Sequence, residues 1–279
     1  MSPPAPLPMP ATHPRVLAFD TATERLAVAL AAPGGPWCVD APGGAAASAT
    51  LLPQVHRLLA AAGLVPAALD FIAFGRGPGA FTGLRTACAV AQGLGYGLNR
   101  PLLAIDSLLI VAEDARTQAA GGEGFSVGVA MDARMEESYA AAYRWQGGAW
   151  QVLHPPALYT LPALSATWAG LPLQALAGSA WSAFGARLAR PEGAALWPRE
   201  AGRAAALLRL AVHAAAAGEG IAAAEALPLY LRDKVAFTTA ERTAARSAAT
   251  IAELAAQQEA AQQVAAQQEA ARKPAAATP

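Results

Sequence analysis

The sequence predicts an α/β fold of two lobes, each built on its own mixed sheet, and three features lead there. The first is alternation: from Val16 to Thr117, apolar strand-like runs and helix-periodic runs follow one another, as in parallel α/β units. The second is duplication. Val16-Leu17-Ala18-Phe19-Asp20-Thr21-Ala22-Thr23-Glu24 and Gly128-Val129-Ala130-Met131-Asp132-Ala133-Arg134-Met135-Glu136 both put Asp at a strand end and Glu four residues later. A Gly-Gly turn before a tryptophan follows each, Gly34-Gly35 before Trp37 and Gly147-Gly148 before Trp150. The third is a glycine elbow, residues 75–83, with four glycines and a proline in nine residues.

The elements follow in order. Residues 1–14 form a proline-rich lead-in without the basic start and apolar stretch of a signal peptide, and are expected to be disordered. Strands are expected at 16–19, 26–31 and 37–39, a meander closed by glycine turns. A helix over 50–62 follows, with Leu51, Leu52, Val55, Leu58, Leu59 and Ala62 at helical spacing, Pro53 in its first turn and Gly63 at its stop. Strand 71–74, the elbow, helix 84–98, strand 102–105 and helix 107–117 complete a first lobe over 15–118. A second, degenerate lobe spans 119–237, starting again at Phe125 and with a strand over 138–145. Residues 238–279 repeat Ala-Ala-Gln-Gln and read as an exposed, helix-prone or disordered tail, because Ile251, Leu254 and Val264 are too sparse for a coiled-coil seam. A duplicated strand-Asp-turn-strand unit marks the two-lobed actin-like architecture (ASKHA, RNase H-like), in which paired hairpins contact nucleotide phosphates.

Composition narrows function. The 279 residues are 54% hydrophobic and 14% charged with formal net charge +0, so the positive field of an autonomous nucleic-acid binder is missing. The charge-free apolar helical segment after the elbow, residues 86–99, is 14 residues long, short of the roughly 20 that a membrane span needs. Cys38 and Cys88 form no Cys-x-x-Cys pair and sit among apolar neighbours, so both are read as buried free thiols in a reducing, cytoplasmic setting. His13, His56, His154 and His213 provide no pair on one helical face, and no Gly-x-Ser-x-Gly elbow is present, so neither a metal centre nor a nucleophile has support.

The candidate site is the turn after Asp20 with the elbow. Asp20, Thr21 and Thr23, with the Gly77 and Gly79 amides, form a candidate phosphate or metal-hydrate contact; the competing reading makes Asp20 a turn-capping carboxylate. The elbow likewise reads either as an anion nest or as a structural turn that launches the next helix. The matching Asp132-Ala133-Arg134-Met135 has no glycine or hydroxyl. Ala177-Gly178-Ser179-Ala180-Trp181 is read as a plain turn in preference to a relic of a nucleotide-base loop. The helix beyond the elbow has no charge from Thr86 to Leu98 and carries two small-residue rows, Ala87/Ala91/Gly95 and Ala89/Gly93/Gly97. Its three glycines cost roughly 3 kcal/mol of helix propensity, so packing on both sides must compensate.

Leu17-Ala18-Phe19-Asp20-Thr21-Ala22-Thr23-Glu24, Gly75-Arg76-Gly77-Pro78-Gly79-Ala80-Phe81-Thr82-Gly83-Leu84-Arg85, Met131-Asp132-Ala133-Arg134-Met135-Glu136-Glu137-Ser138-Tyr139 and Leu229-Tyr230-Leu231-Arg232-Asp233-Lys234-Val235-Ala236 together resemble the TsaB family. The resemblance spans residues 15–236, with Gly75, Pro78, Phe81, Thr82, Gly83 and Arg85 as its structural motif. It departs at Ala80, where serine is usual, at Ala46-Ala47-Ser48, where a histidine commonly stands, and in the tail beyond Glu241. It implies an actin-like, non-catalytic scaffold in the making of threonylcarbamoyladenosine beside the tRNA anticodon. It also implies a direct partner, TsaD; TsaE reached through the complex; tRNA contacted indirectly; and a homodimer when the chain is alone. No cofactor of its own is implied, and nucleotide at the partner interface stays open. The partner surface it implies lies on the two helices, at Leu51, Val55, Leu58, Leu59, Ala87, Ala91, Leu94 and Gly95. The rival expectation is an active actin-like ATPase or small-molecule kinase using Asp20 and the elbow; a metallopeptidase fails for want of ligands.

Overall fold

The first sheet has the order β3-β2-β1-β4-β5 and the second β10-β9-β6-β7-β8 in a computed structural model that describes residues 14–232. The first comprises β1 (Val16–Asp20), β2 (Arg25–Ala31), β3 (Trp37–Pro42), β4 (Phe71–Gly77) and β5 (Leu102–Asp106). The second comprises β6 (Ser126–Asp132), β7 (Glu137–Gln146), β8 (Ala149–Thr160), β9 (Ala175–Ala177) and β10 (Ala195–Trp197). In both, the first strand pairs antiparallel with the second and parallel with the fourth. The expected duplication is therefore present down to strand order, and Asp20 and Asp132 each end the first strand of their sheet. The expected lead-in and tail lie, apart from Pro14, outside the described residues.

Helices α1 (Ala47–Ala61) and α2 (Phe81–Leu98) cover one face of the first sheet, where Leu17, Phe19, Leu26, Val28 and Leu30 meet Leu51, Val55, Leu58, Leu59, Ala87 and Ala91. The alternate residues Val16, Ala18, Ala27, Ala29 and Ala31 face α6 (Arg203–Ala216). Period-two alternation sends large residues to one side and mainly alanines to the other, which lets α6 approach closely. Helix α3 (Ser107–Gln118) instead buries Leu108, Val111, Ala112 and Ala115 against Val127, Val129, Ala141 and Tyr143 of the second sheet. Each half of the chain thus lends a helix to the sheet of the other. Helix α4 (Leu161–Trp168) and the short α5 (Ala180–Phe184) cover the remaining face of the second sheet through Leu161, Leu164, Trp168 and Trp181.

Two local expectations change. Helix α1 starts at Ala47, so Pro53 lies in its second turn rather than its first and leaves one carbonyl of the preceding turn without its helical donor. Its end behaves as expected: Gly63 has φ +65°, and Leu64 N–H reaches the Leu59 carbonyl at 2.9 Å. Cys38 is exposed on the edge strand β3, whereas Cys88 is buried and donates its thiol to the Ala226 carbonyl at 3.3 Å. A short apolar run placed Cys38 in the core, but β3 is an outer strand with only one neighbour.

Candidate functional site

Asp20 closes β1 with its carboxylate fully buried. Oδ2 accepts from Ser107 Oγ at 2.7 Å, and Oδ1 accepts from Ala22 N at 2.8 Å. Oδ1 also accepts from Arg203 at 3.3 Å (Nε) and 3.2 Å (Nη2). The Arg203 side chain is itself 0% exposed and donates through Nη1 to Glu200 at 2.7 Å. Burial works against the guanidinium charge, but the attraction of Asp20 and Glu200 outweighs it and raises the Arg203 pKa, so the cation stays charged inside the protein. Both Asp20 oxygens are committed to protein donors.

The elbow wraps this turn. A Cβ on Gly75 would lie 1.7 Å from Asp20 Oδ2, one on Gly79 2.4 Å from the Ala22 carbonyl oxygen, and one on Gly83 1.8 Å from the Thr21 carbonyl oxygen. Those three glycines exist because the Asp20 side chain, at Gly75, and the backbone of the turn after it, at Gly79 and Gly83, lie where side chains would be. Gly77 has φ +111°, a conformation side chains resist, and leads through a cis peptide bond into Pro78. Its N–H donates to Ser107 Oγ at 3.2 Å, and Ala80 N–H donates to the Ala22 carbonyl at 2.7 Å. Thr21 Oγ1 donates to the Gly83 carbonyl at 2.7 Å, while Thr23 Oγ1 accepts from Arg25 N–H at 3.1 Å. Of the candidate anion contacts, Asp20 and Thr21 are buried, the Gly77 N–H is held by Ser107 of α3, the Thr23 hydroxyl accepts from Arg25, and Gly79 packs on Ala22.

Past the elbow, the Arg85 guanidinium lies 3.7 Å from the Phe81 ring centroid, and Arg85 Nε donates to Tyr230 Oη at 3.1 Å. The Phe81 and Tyr230 rings are 5.2 Å apart, and Leu229 N–H donates to the Arg76 carbonyl at 2.7 Å. Thr82 is exposed, and its carbonyl accepts from Thr86 Oγ1 at 3.0 Å. The C-terminal segment is thus strapped along α2, with Gln92 Nε2 donating to the Ala226 carbonyl at 2.9 Å.

The expected partner surface also needs correction. Leu51, Val55, Leu58, Leu59, Ala87, Ala91 and Gly95 are buried in the core of their own lobe, and a Cβ on Gly95 would meet Leu102 at 2.8 Å and Ala223 at 3.1 Å. Leu94 is half-buried against the same core. The second row of α2 faces outward: Ala89, Gly93 and Gly97 are exposed, nothing lies within 4 Å of a Cβ added to Gly93 or Gly97, and Tyr96 beside them is 64% exposed. Leu52 and Val65 add further exposed apolar surface at α1 and the loop after it.

In the second lobe, Asp132 Oδ1 accepts from Arg134 N–H at 2.8 Å, and Asp132 N–H donates to Ser179 Oγ at 3.1 Å. Arg134, Met135 and Glu136 all have positive φ without being glycine. Gly178 has φ +104°, and a Cβ there would lie 2.3 Å from the Ala130 carbonyl oxygen, so the 177–181 turn serves the packing of β6.

Sequence reasoning missed the buried charges between the sheets. Glu113 Oε1 accepts from Arg209 Nε at 2.6 Å and Arg116 Nη2 at 2.9 Å; its Oε2 accepts from Arg116 Nε at 3.0 Å and Trp150 Nε1 at 3.1 Å. Burial raises its pKa, but the two arginines more than reverse this, and the net direction is down. Asp114 accepts from Ala201 N–H at 2.9 Å and Gly202 N–H at 2.8 Å, completing the N-terminus of α6. The available signal was Glu113 and Asp114 directly after an apolar helical run, and Arg203 and Arg209 in a run rich in alanine and leucine. Among the described residues no group of three His, Cys, Asp or Glu is placed to hold a metal, and no helix is long and apolar enough to cross a membrane.

Two duplicated five-stranded sheets, with a carboxylate ending the first strand of each, define an α/β protein of the actin-like class. The family model described as TsaD, tRNA N6-adenosine threonylcarbamoyltransferase, matches residues 43–278. The tRNA threonylcarbamoyladenosine biosynthesis protein TsaB of Escherichia coli K12 is 33% identical over 233 residues, covering 80% of this chain and 96% of that protein. TsaB of Haemophilus influenzae is 37% identical over 124 residues, 44% of this chain and 51% of that protein. The solved structure of YeaZ from Pseudomonas aeruginosa shares 38% identity with a TM-score of 0.69, covering 78% of this chain and all of that one. This chain belongs to the family that the model describes, and within it to the TsaB proteins of tRNA threonylcarbamoyladenosine biosynthesis.

Proposed function

We propose that this chain is a non-catalytic subunit of the threonylcarbamoyl-transfer machinery, acting by heterodimerising with TsaD in the cytoplasm. The carrying observation is the Asp20–Arg203 pair. Phosphoryl transfer is mainly positioning and stabilisation of charge, so an actin-like ATPase needs a carboxylate that can reach metal or hydrated phosphate. Here that carboxylate is neutralised from inside and has no exposed surface. The chain would then need no cofactor of its own, and TsaE and tRNA would be reached through the complex. The partner-facing surface is the outward row of α2, Ala89, Gly93 and Gly97, with Tyr96 and Leu52; an apolar face with small residues lets another helix approach closely. The same face would serve self-association of the chain alone.

Co-purification of tagged TsaD with Gly93→Glu and Gly97→Glu variants tests this. Both positions are open, so the variants should melt at or above the parental temperature while losing the partner. Retention of TsaD by both would place the interface elsewhere. Robust Mg-ATP turnover by the isolated chain would favour the ATPase reading and sink the non-catalytic one.

A further inference from the structure

A pocket of ≈ 350 Å³ lies at the start of β6, lined by Glu123, Ser126, Arg144, Gln146, Pro172 and Gln174 among others. Its volume is at the small end of the roughly 300–1,000 Å³ typical of ligand sites. The floor is set by the backbone. Ser126 is 2% exposed and stands opposite Arg144 across the β6–β7 ladder. Its hydroxyl donates to the Pro172 carbonyl at 2.5 Å and accepts from Gln174 N–H at 3.2 Å, tying the loop before β9 to the strand.

The charges above this floor are unusual. The Arg144 side chain makes no hydrogen bond, ion pair or ring contact among the described residues, whereas Arg116, Arg203 and Arg209 are held by carboxylates. Glu123 lines the same pocket, and its Oε1 is held by Gly147 N–H at 2.8 Å. The two side chains share one pocket but form no ion pair with each other. A simple anion would suit Arg144 and be repelled by Glu123; a simple cation would meet the reverse. A molecule that carries both charges a short distance apart satisfies both, its carboxylate on the guanidinium fork. The Gln146 and Gln174 amides offer donors and acceptors for one further polar group.

We propose that this pocket binds a small zwitterion, an α-amino acid, with its carboxylate on Arg144 and its ammonium on Glu123. The inference is independent of the TsaD reading. It is tested on the full chain by amide NMR titration with L-serine, N-acetyl-L-serine, which lacks the ammonium, and ethanolamine, which lacks the carboxylate. Saturable shifts at Ser126, Arg144, Gln146 and Gln174 are expected with millimolar L-serine, each truncated probe binding about tenfold or more weaker. Arg144→Gln should abolish the shifts at an unchanged melting temperature, measured on the same sample. The proposal is overturned if L-serine gives no saturable shift, if either truncated probe binds as well as L-serine, or if the folded Arg144→Gln protein binds undiminished.

Discussion

The turns after Asp20 and Asp132 occupy equivalent places in the two sheets and have opposite fates. The first is packed under a glycine elbow, its carboxylate held by Arg203, Ser107 and the Ala22 amide. Among the described residues, no glycine elbow packs on the second. Its residues Arg134, Met135 and Glu136 sit at positive φ, and Arg134 makes an exposed contact with Glu24 at 3.5 Å. Left-handed conformations cost non-glycine residues roughly 1–2 kcal/mol each, and this turn carries no glycine that would relax it. Duplication supplies two copies of one frame, and the sequence of each copy decides whether the turn is sealed or merely tolerated. Neither copy offers an accessible carboxylate with a glycine-rich loop around it.

The largest effect is expected from removing the buried cation. Arg203→Ala leaves Asp20 and Glu200 without their partner and should cost about 3–5 kcal/mol, read from urea denaturation. Asp132→Asn in the open copy should cost less than about 1 kcal/mol. Gly83→Ala drives a Cβ into the Thr21 backbone and should destabilise by about 3 kcal/mol or more. Gly93→Ala, on the same helix in open space, should stabilise by about 1 kcal/mol through helix propensity. An equal loss from both substitutions would refute the view that the elbow glycines are set by packing.

A third test uses pH. Because the Glu113 pKa is lowered in the folded protein, its stabilisation is present above the unfolded carboxylate value of about 4.3 and is lost as pH falls through the folded value. The urea midpoint of the parent should therefore drop between pH 5 and 3, and Glu113→Gln should flatten that drop while lowering stability at pH 7. The smallest effect is expected at the lip of the open turn. Glu24→Ala removes a pair whose side chains are 80% and 76% exposed and should change stability by less than about 0.5 kcal/mol.

Much of the frame was legible because it is local. Alternation, the repeated Asp turn and the paired Gly-Gly hairpins each occupy a short window, and Gly147 and Gly148 do adopt positive φ as such a hairpin requires. The site was only half legible. Asp20 and the elbow stood out, but what neutralises Asp20 is 183 positions away, in a run of alanine and leucine whose first residue is an arginine. The two rows of α2 separate cleanly at 100° per residue, yet both are small and apolar, so composition does not say which one meets the sheet. The difference is made by neighbours, Leu84 and Cys88 beside the buried row, and by Leu102 and Ala223 arriving from elsewhere.

The exchange of α3 and α6 between the sheets bears on how the chain is made. The alanine face of the first sheet, Ala18, Ala27, Ala29 and Ala31, is covered by a helix that begins only at Arg203. During synthesis from the N-terminus that face has only Leu109 and Ile110 of α3 to lie against until α6 has left the ribosome, and α3 waits likewise for β6. A fragment stopping near residue 118 is then not a small stable lobe but a sheet with one sticky side, prone to aggregate. By the same interleaving, residues 14–231 should unfold as one cooperative body, with neither sheet surviving the loss of the other.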